Sequence, residues 1–155
     1  VGDPDELILR EDLSGRVEDP KELVGELAEV RRLMTVHHGA GLAAPQAGLR
    51  RNFFVMARKT WAGIPKKQIP IGMNFINPEW RPASDLMMGD FEGCLSLPGK
   101  QVRVVRYNSI YVMWTTINGD RIGRTLHGFT ARCFQHEADH LKGRMIDELR
   151  TIGSV

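Results

Sequence analysis

Near the end of the chain, His136-Glu137-Ala138-Asp139-His140 has the residue types and spacing of a metal-dependent hydrolase motif. On a helix, positions i and i+4 share one face one turn apart, so the two imidazoles converge on a single ion. Glu137 sits beside them and is not required as a ligand. A carboxylate in that place can accept a proton from a water polarised by the ion. The pentapeptide also occurs on ordinary solvated helices, so the reading turns on whether the chain supplies a third ligand.

That ligand can be found by elimination. His140 is followed by Leu141-Lys142-Gly143-Arg144-Met145-Ile146, which tracks the longer HExxHxxGxxH pattern until Ile146 replaces its last histidine. A glutamate from a separate downstream helix is excluded by length, because the chain stops at Val155 and Glu148 is too near in sequence. Cys133 lies a turn before His136, on its far side from His140, and is expected to be a packed thiol. Cys94 remains, in Phe91-Glu92-Gly93-Cys94-Leu95-Ser96-Leu97-Pro98, where Gly93 frees the backbone just ahead of the sulfur. One thiolate and two imidazoles leave a fourth position open, as in catalytic rather than structural sites. Asp139 is placed to orient a ligand imidazole. His37 and His38, being adjacent, point to different sides of a helix and read as solvated residues at its C-terminal end.

Three segments taken in order, Gly39-Ala40-Gly41-Leu42-Ala43-Ala44-Pro45-Gln46, Glu92-Gly93-Cys94-Leu95-Ser96 and Gln135-His136-Glu137-Ala138-Asp139-His140-Leu141, resemble the signature of the peptide deformylases. The resemblance runs from about Asp3 to Asp147. It implies removal of the N-formyl group from the formyl-methionine of nascent polypeptides, with release of formate. It implies one divalent metal ion on Cys94, His136 and His140, typically ferrous iron, with zinc, nickel or cobalt able to replace it. Glu137 would be the general base, and Gln46 with the backbone N–H of Leu95 would steady the developing oxyanion. Ala40, Gly41, Gly93, Phe129 and Arg132 would contact substrate. Glu92 and Arg106 match a buried ion pair beneath the site. The implied partners are formyl-methionyl nascent peptides and the ribosome near its exit tunnel.

The sequence departs from the family at three positions. Arg132 stands where the methionine pocket is often aliphatic, and its stem is expected to cover the pocket while its head reaches water. Gln101 replaces an arginine that commonly holds the substrate backbone, and Val105 a common proline. The chain also ends soon after Asp147, where many members continue into a helix used at the ribosome, so docking is expected to be unsupported or moved to another surface such as the loop 58–72.

The elements that must carry these groups are legible in pattern. Asp19 caps a helix opened by Pro20, whose apolar stripe is Leu23, Leu27, Val30 and Met34, with Gly39 as a stop. Small residues from Gly39 to Gly48 allow close approach of backbone or ligand. Residues 52–57 (NFFVMA) read as a buried strand and 58–72 as an exposed loop. Residues 101–106 and 109–116 read as strands. Asn118-Gly119 reads as a type I′ hairpin returning through 121–126. Residues 130–145 read as the helix bearing the histidines, with no strong cap. Strands followed by a helix make this α+β: antiparallel strands packed around a central HExxH helix, in one catalytic domain spanning 1–155.

Composition excludes several classes. With 21 basic and 19 acidic residues the net charge is +2, and Arg50-Arg51, Lys66-Lys67 and Arg103/Arg106 are scattered like a solvated face, so no specific nucleic-acid partner is expected. No apolar run is long enough to span a bilayer. Two cysteines do not make a disulfide scaffold. The first residue is Val1, as expected of a processed or trimmed chain. The expected compartment is bacterial cytoplasm, or a mitochondrial or plastid matrix if a targeting segment was removed. Two other readings stay open: an amidase for a different N-acyl peptide, separated by an assay on acetylated peptides, and an inactive metal-binding module, against which Glu137 and Gln46 stand.

Overall fold

The computed structural model describes residues 6–148. A single turn, α1 (Glu6–Leu9), leads to the capped helix. Asp19 accepts a hydrogen bond from the Lys21 N–H at 3.2 Å, and Pro20 opens a 3-10 turn that runs into α2 (Val24–Val36). Leu23, Leu27, Val30 and Met34 are all buried, as the periodicity predicts. His37 and His38 are exposed. The chain turns at His38, whose φ is 56°, and Gly39 N–H returns to Met34 C=O at 2.8 Å.

Then come β1 (Gly41–Ala43), a 3-10 turn over Ala44–Ala47, β2 (Phe53–Met56), β3 (Asn74–Pro82), β4 (Met87–Cys94), β5 (Leu97–Tyr107), β6 (Ser109–Thr115), β7 (Arg121–His127) and α3 (Gly128–Leu141). Five strands form an antiparallel sheet in the order β1-β2-β3-β6-β7, and β4 pairs with β5 in a separate two-stranded sheet. The α+β expectation holds.

Strand β2 explains why its sequence is continuously apolar. Phe54 and Met56 pack with α3, while Phe53 and Val55 pack with Leu27, Val30 and Met34 of α2. A strand covered on both faces loses the polar alternation of a half-buried one. On the α3 side, Phe134 meets Phe54 and Phe75 edge-to-face at 4.9 and 5.5 Å between ring centres, and Phe75 meets Trp114 at 5.1 Å. This aromatic contact fixes the height and rotation of the helix that carries both histidines.

Four expectations need correction. The loop 58–72 is not simply exposed: Thr60 and Trp61 are buried, and the Thr60 carbonyl accepts from Thr130 Oγ1 of α3 at 2.7 Å. The β6–β7 connection is not a two-residue type I′ turn. Only Gly119 has positive φ, at 91°, and Thr116 N–H reaches Asp120 C=O at 2.8 Å around a three-residue loop. Helix α3 ends at Leu141 rather than at 145, and its cap is strong. Gly143 takes φ 74°, its N–H bonds to His140 C=O, and Arg144 N–H bonds to Asp139 C=O at 2.9 Å, which is a Schellman motif. Finally, Arg106 does not belong with the scattered solvated charges: it is 5% exposed and paired with Glu92, as the family resemblance implies.

Replacing Phe134 by alanine should cost about 3–5 kcal/mol and lower the urea midpoint accordingly. Phe129→Ala on the same helix, 60% exposed, should stay within about 0.5 kcal/mol in the same titration.

Candidate metal centre

The candidate ligands come from one two-stranded sheet and one helix. Cys94 ends β4 and pairs with Leu97 across the turn to β5. His136 and His140 lie one turn apart on α3. The Cys94 sulfur and one nitrogen from each imidazole all lie within 4.8 Å of one another. His140 Nε2 is 3.4 Å from Cys94 Sγ and 3.3 Å from His136 Nε2. Three lone-pair atoms so close repel one another unless a cation or shared protons sit among them, and a soft thiolate with two imidazoles suits a divalent transition metal. The residues therefore fit the ion that the motif implies. Cys133, by contrast, packs in the α3 core, and burial pushes its thiol up to about 12.

Around this trio each neighbour has a defined task. Gln46 lies in the 3-10 turn after β1, where its Oε1 accepts from Ala43 N–H at 2.9 Å. That bond turns its amide Nε2 toward Ser96 Oγ at 3.1 Å and Cys94 Sγ at 3.5 Å. Ser96 is a contact that residue-type reasoning passed over, although it stands within the Glu92–Ser96 segment. Glu137 is fully buried, and burial raises its carboxyl to about 7 against the lowering influence of His136. Its Oε1 has no hydrogen-bond partner among the described residues. Gly41 explains itself here, since a Cβ added to it would lie 2.7 Å from Glu137 Oε2. A cleft of about 530 Å³ opens onto the centre, and Ala40, Gly41, Gln46, Gly93, Leu95, Gln101, Phe129 and Arg132 all line it.

Beneath the centre, Glu92 is the hub. Its Oε1 accepts from His136 Nδ1 at 2.8 Å and Arg106 Nη2 at 2.9 Å, and its Oε2 accepts from Arg106 Nε at 2.6 Å and Arg132 Nη1 at 2.7 Å. Burial alone would raise this carboxyl, but the bonds from His136 and Arg106 hold it well below the usual carboxylate range. The imidazoles respond in opposite directions. Burial lowers both, yet the Cys94 sulfur and Glu92 push His136 up to about 10, whereas His140 stays well below an ordinary histidine.

Two assignments change. Asp139 does not orient an imidazole; its Oδ2 accepts from Arg106 Nη1 at 2.8 Å, and Glu92 takes the orienting role at His136. The Arg132 head does not reach water, being bonded to Glu92, to Val104 C=O at 2.9 Å and to Met88 C=O at 2.5 Å.

The sequence model of the polypeptide deformylase family matches residues 1–153. The chain belongs to this family. Among relatives, it is 36% identical over 136 residues to peptide deformylase 1 of Nitrosomonas europaea, covering 85% of this chain and 77% of the relative. It is 38% identical over 133 residues to peptide deformylase 1 of Clostridium perfringens, covering 86% and 80%. Its fold superposes on the peptide deformylase crystal structure from Thermotoga maritima with a TM-score of 0.79, at 32% identity over 92% of this chain and 90% of that one. The Plasmodium falciparum peptide deformylase, solved with an inhibitor, gives a TM-score of 0.78 at 29% identity, over 93% and 84%. As a member, the chain is a metal-binding hydrolase of N-terminal protein processing.

Glu92→Gln keeps the shape of the hub but removes its charge. Its metal affinity, measured by competition with a chelator, should fall by roughly 10–100-fold. An affinity equal to wild type would show that His136 does not depend on Glu92.

Proposed function

We propose that Cys94, His136 and His140 hold one divalent metal ion, and that Glu137 moves the proton as the enzyme removes the N-formyl group from newly made polypeptides. The observation that carries this reading is the convergence of one sulfur and two imidazole nitrogens within 4.8 Å, beside the buried Glu137, whose Oε1 has no hydrogen-bond partner among the described residues. Iron in the ferrous state is the native ion in this proposal, with zinc, nickel or cobalt as substitutes, because a thiolate ligand makes a softer and less acidic centre. A bound divalent ion supplies Lewis acidity, bringing water into a range where it ionises near neutral pH.

The remaining work belongs to the chain. Glu137 accepts the proton of the attacking water and delivers it to the departing amine. The Gln46 amide, held in place by Ala43 N–H, donates to the formyl oxygen as charge builds on it, and the Leu95 backbone N–H donates from the turn after Cys94. Each such donor is worth about 3 kcal/mol in the transition state. Gly41 leaves the room in which Glu137 and the formyl group approach. The methionine side chain enters the cleft lined by Phe129 and the Arg132 stem. A cytoplasmic or organellar-matrix location, where chains start with formyl-methionine, fits this substrate. No helix among the described residues is long and apolar enough to cross a membrane.

Formate release from a formyl-Met tripeptide tests the reading. Glu137→Ala should retain its metal and lose about 10²–10⁴ in kcat. No formate from folded, iron-loaded wild type would overturn it, and activity on an acetylated peptide alone would favour another amidase. Stripping the metal with a chelator should abolish turnover, and adding back ferrous ion under anaerobic conditions should restore it. Full turnover in metal-free protein would exclude the metal assignment.

A further inference from the structure

We infer that Arg132 is a positioning residue for the metal centre: it locks the hairpin that carries Cys94 onto the helix that carries His136 and His140. The inference rests on the proposed ligand set and extends it to a residue whose sequence position suggests only a pocket wall.

The mechanical problem comes from the topology. Cys94 sits on the β4–β5 hairpin, which shares no strand pairing with the five-stranded sheet. Both histidines sit on α3, which is fixed to that larger sheet by Phe134. Ligands on separately supported elements hold a constant spacing only if something ties the elements together. Contacts between apolar side chains resist separation but do little against sliding, because dispersion and hydrophobic terms are non-directional. Directional bonds across the junction supply the missing restraint.

Arg132 makes three of them from one guanidinium. It leaves α3 one turn before His136 and reaches Glu92 Oε2 at 2.7 Å and Met88 C=O at 2.5 Å on β4, and Val104 C=O at 2.9 Å on β5. It thus grips both strands of the hairpin at once. Its side chain is 9% exposed and that of Glu92 is 6% exposed, so these bonds are scarcely contested by water. Five fixed N–H directions in a planar head make such a three-point grip available to arginine and not to lysine.

The same residue balances charge. Glu92 and Asp139 bring two negative charges into the buried network, and Arg106 and Arg132 bring two positive ones. Without Arg132 the network carries one net negative charge beneath His136, because Arg106 alone is then shared between Glu92 and Asp139. Glu92 would also lose one of the two donors on Oε2, and with it part of what fixes the oxygen that faces His136 Nδ1. Both effects act on ligand geometry through Glu92 and the hairpin, without Arg132 touching an ion.

The stem of Arg132 lines the cleft, so a change there could act merely by reshaping the substrate pocket. Arg132→Met separates the two cases, because it keeps an unbranched apolar stem and removes the head. The proposal expects metal affinity, read by chelator competition without substrate, to fall by roughly 10–100-fold. With cobalt in the site, the sulfur-to-cobalt charge-transfer band should shift or weaken as Cys94 drifts from the histidines. With saturating metal, kcat should fall while KM for the formyl-Met tripeptide stays within about threefold, as for loss of an interaction felt in the transition state. Arg132→Lys keeps the charge but not the fork, and should recover only part of the affinity.

Wild-type affinity and an unchanged cobalt spectrum in Arg132→Met would overturn the proposal, as would a change confined to KM. A wild type that binds no metal would instead sink the ligand assignment itself. If Arg132→Met fails to fold, the Arg132→Lys protein carries the test, and an affinity and band identical to wild type would refute the three-point grip. In the cycle of Glu92→Gln, Arg132→Met and the double variant, the two losses of metal affinity should be strongly non-additive, because both act through one bond. Additive losses would also refute it.

Discussion

Everything at this centre depends on one carboxylate kept charged where carboxylates are costly. Glu92 is withdrawn from water and accepts four hydrogen bonds, three from guanidinium groups and one from the His136 ring. A buried charge with fewer partners would neutralise itself by taking up a proton. Here the donors are numerous and charged enough to hold it ionised. The arrangement is stabilising only as a complete set, since removal of a single partner from such a network leaves an uncompensated buried charge worth about 3–5 kcal/mol. The charged groups bring both strands of the hairpin and the helix to one point. Apolar packing alone would bring them into contact without fixing their register.

Glycines complete what the charges begin. Gly41 faces Glu137 so closely that a methyl group cannot stand between them, and a Cβ at Gly39 would lie 2.8 Å from Leu95 Cδ1. The start of β1 therefore passes α3 at backbone distance. This lets Gln46 aim its amide from one side while the hairpin presents Cys94 from the other. The site is a meeting of three chain segments, and each comes close because something large has been left out or something charged has been put in.

Much of this was written legibly in the sequence, and what was not has physical reasons. The helix pair, the buried β2 strand and the convergence of Cys94, His136 and His140 followed from periodicity and elimination, because a 3.6-residue stripe and an i, i+4 histidine pair are local signals. Strand β4 was invisible: Met87 to Phe91 are all exposed, so no alternation marks it, and it pairs with β5 alone. Strand β3 was masked by a bulge between Ile76 and Glu79 that puts Asn77 and Pro78 where a regular strand has neither. The roles of Asp139 and Arg132 were misjudged for a related reason. Which carboxylate reaches an imidazole, and whether an arginine head turns to water or to protein, are set by the neighbouring hairpin and not by the helix on which the residue sits. Trp61 shows the same limit, its loop reading as polar while the tertiary fold draws one ring of it inside.

The order of elements along the chain gives β2 a further meaning. One of its faces is covered by α2, which precedes it, but the other waits for α3, which follows every strand. As the polypeptide is made from its N-terminus, Phe54 and Phe75 have no Phe134 to meet until the last helix is complete. Both histidines arrive in that same late segment. The half-made protein thus lacks both the ring that closes its aromatic core and the histidine pair, so completion of the hydrophobic interior and assembly of the Cys94, His136 and His140 cluster are a single event, timed by the emergence of α3.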